Sequence, residues 1–154
     1  MNAKETVLEQ IFSISLKVRI LKAWEKSSHA ETQEYSERDL LTLELIHDFT
    51  PITEKTLSKI FGVPFSSVSD IVERLEKLEL IAPSEEGRGK PLVLTKEGEL
   101  RLEKLKQNSA VRLNFLFESL PEEDWKTLSR IYEKIDQNAA QAVQSQVFGR
   151  FPTT

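Results

Sequence analysis

The stretch from Ile52 to Gly98 constrains the fold more than any other part of the chain. Thr53 suits a helix start, because its hydroxyl can accept a hydrogen bond from a first-turn amide. Leu57 and Ile60 follow at helical spacing, and Gly62 suits a left-handed helix end. A second helix is predicted immediately after. Val68, Ile71, Val72, Leu75 and Leu78 recur at three- and four-residue steps as its inner face. Ser66, Ser67, Ser69, Asp70, Glu73, Arg74 and Lys77 are left outward. The apolar runs Leu80-Ile81-Ala82 and Leu92-Val93-Leu94 then flank a charged, glycine-containing segment from Glu85 to Lys90, which predicts a β-hairpin. Two helices about a glycine turn, with a hairpin behind them, are the parts of a helix-turn-helix with a wing. That geometry usually holds one helix in the major groove of DNA.

The flanks carry a different signal. Before this unit, Leu8, Ile11, Ile14, Val18 and Leu21 form one helical stripe, and Phe12, Leu16, Ile20 and Trp24 form another. A surface helix needs a single stripe, so two predict burial on two sides, against the chain's own core and against a partner. His29 to Ser36 is polar and reads as a loop. Leu40, Leu43 and Ile46 then mark a helix that ends before Thr50-Pro51. After the hairpin, Thr95 is placed to cap a helix running through Leu102, Leu105, Leu113, Leu116 and Phe117. Pro121 followed by Glu122, Glu123 and Asp124 starts a last one, since acidic groups favour the positive end of the helix dipole. Trp125, Leu128, Ile131, Ile135, Ala139 and Ala142 continue that helix, with Trp125 expected in the core. Long apolar helices on both sides of a compact unit predict pairing across a two-fold axis, which sets two recognition helices about one DNA turn apart.

Composition excludes several functions. At 154 residues, 39% hydrophobic and 30% charged, the chain is ordinary globular material. It has no cysteine, so disulfides, thiolate nucleophiles, thiol redox sensing and thiolate-bound metals are all ruled out. With His29 and His47 as the only histidines, a histidine-rich metal site is ruled out too; no cofactor is expected. The apolar run from Ile11 to Ile20 is broken by Ser13, Ser15, Lys17 and Arg19, so neither a signal peptide nor a membrane span is predicted and a cytoplasmic location is the expectation. No nucleophile–base pair and no phosphate-cradling glycine loop points to an enzyme. Glu85 and Glu86 are not a catalytic dyad, because an exposed loop offers nothing to raise a carboxyl pKa.

On these residues the chain resembles the MarR family of bacterial transcription regulators. The likeness rests on Leu57 to Gly62, Ser66-Ser67-Val68-Ser69, Glu73-Arg74-Leu75-Glu76-Lys77 and Leu94-Thr95-Lys96-Glu97-Gly98, in that order and spacing. It implies a mainly α fold with a small β-wing: a winged helix-turn-helix (36–99) between N- and C-terminal dimerisation helices (1–35 and 100–154), all in one domain. It implies a homodimeric repressor on a pseudo-palindromic operator. Phe65, Ser66, Ser67, Ser69 and Asp70 would then face the major groove, with Arg74 nearer the DNA backbone, and Arg88 and Lys90 would reach from the wing toward the minor groove. It further implies a small aromatic or phenolic effector in a pocket lined by Arg19, Trp24, Tyr35 and His47.

This chain departs from the family pattern in specific places. The wing reads Glu85-Glu86-Gly87-Arg88-Gly89 rather than aspartate-x-arginine. Glu79 replaces a glycine, Pro83 an arginine, Asp70 a basic residue and Pro64 a capping serine. Residues 51–100 hold seven Lys and Arg against nine Asp and Glu, so the counterion-release contribution to DNA affinity is expected to be small. A winged-helix module that associates with protein and has lost DNA binding is the alternative. The residues taken singly also keep plainer readings: Phe65 packing on the preceding helix, Arg88 solubilising a loop, and the four pocket residues filling core or interface.

Overall fold

The computed structural model describes residues 1–28, 35–85 and 89–150. The loop read from His29 onward therefore lies outside the described residues up to position 34, as do Glu86, Gly87 and Arg88 at the hairpin tip. The chain divides into two compact units, Met1–Ser36 and Glu37–Thr154.

The first unit is one long helix, α1 (Ala3–Ser28). Asn2 and Glu5 bond reciprocally at its start, each side chain accepting from the other's backbone amide. Leu8, Ile11 and Ile14 of one apolar stripe, and Phe12, Ile20 and Trp24 of the other, are exposed in the single chain.

The second unit runs α2 (Glu37–Asp48), α3 (Glu54–Phe61), α4 (Phe65–Lys77), β1 (Ile81–Pro83), β2 (Leu92–Leu94), α5 (Lys96–Arg112) and α6 (Glu122–Ala142). Among the described residues, every buried large apolar side chain falls between Leu43 and Leu102. Leu43 and Ile46 from α2, Leu57 from α3, Val68, Val72 and Leu75 from α4, and Leu80, Ile81, Leu92 and Leu102 form that core together with Ile52. The hairpin pairs antiparallel in the register Ile81 with Leu94, Ala82 with Val93 and Pro83 with Leu92. Ile52 joins its edge, its carbonyl accepting from Leu92 N at 2.8 Å, which pins the α2–α3 connection to the wing.

The local signals behave as their chemistry requires. Thr53 accepts from Thr56 N, and Gly62 closes α3 at φ 63° in the left-handed region. Pro64 offers no side-chain cap to α4. The other end of α4 is a Schellman turn, with Glu79 N donating to Glu76 O and Leu80 N to Leu75 O at 2.9 and 3.0 Å. Glu79, standing where the family has glycine, occupies the left-handed position at φ 59°. A side chain there is strained, so Glu79→Gly is expected to raise stability by about 0.5–1 kcal/mol, read as a higher urea midpoint at unchanged slope. A lowered midpoint would mean that the Glu79 side chain stabilises the turn.

Three expectations need correction. Leu78 is 44% exposed rather than inward, because α4 ends at Lys77 and the chain has already begun its turn. The helix after the hairpin stops at Arg112 instead of continuing through Phe117; a short 3-10 turn, Asn114–Leu116, follows. Trp125 is 40% exposed and not core. The bend brings Phe117 against it, with ring centroids 5.3 Å apart, but the core is already complete without α6.

Candidate nucleic-acid interface

Helix α4 owes its place to its buried stripe. Val68, Val72 and Leu75 sink into the core, and that burial turns the opposite face to solvent. Phe65 (52% exposed), Ser66 and Asp70 stand exposed on that face, while Ser67 and Ser69 are half-buried. The expected major-groove residues thus share the first two turns of one helix, but not one environment. The Ser69 hydroxyl donates to Glu54 Oε1 on α3 at 3.4 Å, which ties it to the neighbouring helix. Phe65 projects outward rather than packing into the core.

Arg74 lies one turn behind Asp70; its side chain is 45% exposed, and its guanidinium reaches the buried carboxylate of Asp39. Nη1 and Nη2 donate to Oδ2 and Oδ1 of Asp39 on α2, at 2.7 and 2.5 Å. Asp39 is 1% exposed. Sequence reasoning did not single it out, because an acid in a helix's first turn reads as a partner for the helix dipole. The other cation of α4, Lys77, lies 3.1 Å from Glu73 on the helix surface. Each cation of the helix therefore faces a carboxylate. Glu76 sits above its ordinary carboxylate range, raised by partial burial and then by the nearby negative charges of Glu54 and Glu73.

At the wing, Lys90 is half-buried and its ammonium lies 3.5 Å from Glu85. Arg88, expected to enter the minor groove, lies outside the described residues.

Of the four residues named for an effector pocket, His47 borders a shallow groove of about 520 Å3 in the second unit. Lys96, Glu99, Leu100, Glu103 and Lys106 of α5 are among its other lining residues. Arg19 and Trp24 are on α1, and Tyr35 also belongs to the first unit. His47 Nδ1 is 2.5 Å from Asp48, and Lys106 pairs with Glu44 at 2.6 Å. Burial, and then a hydrogen bond with Asp48, raises Glu44 above the usual carboxylate range. Asp48 is lowered despite its partial burial, because Glu44 and His47 hydrogen-bond to its charged form.

No protein-family model matches the chain. It is 25% identical over 128 residues to an uncharacterized HTH-type transcriptional regulator of Bacillus cereus, covering 79% of this chain and 87% of that one. A regulator of the same description from Bacillus anthracis aligns equally well. Among solved structures, the multiple antibiotic-resistance repressor (MarR) of Listeria monocytogenes superposes with a TM-score of 0.60 at 20% identity, over 90% of this chain and 98% of that one. A MarR family protein from Bacillus stearothermophilus gives 0.61 at 21%, with the same coverage. Streptococcus pneumoniae FabT, solved in complex with DNA, gives 0.52 at 20%, again over 90% and 98%. The fold is a winged helix-turn-helix with long terminal helices. It is the fold of the MarR-family regulators, the family that the sequence resembles.

Proposed function

We propose that the chain is a DNA-binding transcription regulator of MarR type, working in the cytoplasm as a homodimer without enzymatic chemistry. The observation that carries this reading is α4. Its outward first two turns (Phe65, Ser66 and Asp70) follow a glycine turn and precede a paired hairpin, all on one core. FabT, similar in fold over 90% of this chain, is bound to DNA in its structure, which supports the same use of the fold here. Phe65, Ser66, Ser67, Ser69 and Asp70 read the major groove, and Arg88 and Lys90 approach the minor groove from the wing. The mechanism is one of spacing. A dimer meets two half-sites, so any change in the angle between its two reading units weakens both contacts together. Repression, with release by a small aromatic ligand that prefers the mis-spaced dimer, completes the reading.

Selection from a random duplex library tests it. A palindromic winner, bound less tightly by an Arg88→Glu protein, is the expected outcome, with a loss of about tenfold or more as one phosphate-scale contact turns repulsive. No enrichment by a folded dimer would favour the second reading, a protein-association module. One observation favours that alternative: the carboxylates Asp70, Glu73 and Glu76 on α4, beside cations already paired with Asp39 and Glu73.

A further inference from the structure

We propose that Arg74 is a positioning residue: held by the buried carboxylate of Asp39, it sets the angle and roll of α4 rather than touching DNA. This rests on the DNA-binding reading above.

The geometry is that of a fork gripping both oxygens of one acid. Two parallel bonds, at 2.7 and 2.5 Å, fix direction as well as distance, which a single bond would not. The two residues are far apart in sequence and sit on different helices, so the fork is a tertiary clamp. It also adds a polar tie between two helices that share the apolar core of the unit. Helix α2 packs on α5 and β2, whereas α4 packs on α3 and β1. The clamp adds a direct tie from α2 to the last turn of α4. Asp39 cannot act on DNA itself, being shut away from solvent. Its carboxylate needs a cation, because a buried unpaired charge is costly. That need holds the guanidinium in place. Arg74, in turn, lies one helical turn behind Asp70 and two behind Ser66, so a small rotation at the clamp displaces the reading residues directly.

The two roles make opposite predictions about charge. A phosphate contact contributes to counterion release, and its loss makes the salt dependence of affinity shallower by about 0.9. A clamp contributes none, since its charge is already neutralised by Asp39.

The test uses the full chain on the duplex recovered from library selection. Affinities of wild type, Arg74→Ala, Arg74→Lys, Asp39→Asn and the double variant Asp39→Asn/Arg74→Ala are measured across about 50–200 mM salt. All are measured below the melting temperature of each protein. The clamp predicts that each single variant binds about tenfold more weakly, a coupling of ordinary size for a close pair. The double variant is no weaker than the worse single one, and the salt slope stays at the wild-type value throughout. Arg74→Lys fares like Arg74→Ala, because an ammonium cannot reproduce the fork. A shallower slope for Arg74→Ala, with Arg74→Lys near wild type or Asp39→Asn binding as well as wild type, would overturn the clamp and assign Arg74 to phosphate. If Asp39→Asn does not fold, the comparison of Arg74→Lys with Arg74→Ala decides alone. Failure of the wild type to bind any duplex would instead bring down the DNA-binding reading, and the inference with it.

Discussion

Gly98→Ala is expected to destabilise the winged unit by about 3 kcal/mol or more, and to leave little folded protein at ordinary growth temperatures. A β-carbon at position 98 would stand 1.9 Å from the carbonyl oxygen of Leu80 and 2.9 Å from its carbonyl carbon. Neither atom can retreat cheaply. That oxygen accepts from Thr95 N at 3.0 Å, and Leu80 N closes the turn after α4. The Thr95 hydroxyl donates to the Glu79 carbonyl next door at 2.6 Å, while also accepting from Gly98 N. One methyl group would therefore press on the junction of the recognition helix, the first wing strand and α5 together. Urea denaturation measures the loss. A change smaller than about 1 kcal/mol would mean that α5 can pivot away from Leu80 without disturbing the wing.

Ile135→Glu is expected to leave the winged unit folded and to break the proposed homodimer. Ile135 is 44% exposed in the single chain and lies on the α6 stripe with Trp125, Leu128 and Ile131. Among the described residues the buried core ends at Leu102, so a charge on α6 costs the core nothing. If that stripe meets its copy across a two-fold axis, burying a carboxylate there costs several kcal/mol, or more than about a hundredfold in dimer dissociation constant. Sedimentation at micromolar concentration reads the outcome. A monomer with wild-type circular dichroism, and weaker binding to a palindromic duplex than to a half-site-normalised expectation, is the predicted result. A variant that still sediments as a dimer would place the interface elsewhere.

The parts legible in the sequence were those with local causes. Thr53, Gly62 and Thr95 each cap or end a helix through atoms a few residues away, so their roles could be read without knowing the fold. The hairpin was visible for the same reason, as two short apolar runs about a charged segment, and the structure adds its register. Glu79 was visible as a departure from a family pattern, and the structure supplies its conformation. Leu78 and Trp125 misled because helical spacing identifies an apolar face without saying whether anything covers it. At Leu78 the helix had ended, and Trp125 packs on Phe117 yet stays 40% exposed.

By itself, then, the sequence determined the order of elements, their caps and the acidic balance of the reading unit, because these depend on spacing and composition within a few turns of chain. Only the tertiary structure decided that Arg74 faces a buried acid, that Ser69 leans on Glu54 and that position 98 tolerates no side chain. Each of those depends on two segments distant in sequence coming within a few ångströms, and no local pattern records which distant atom will be the neighbour.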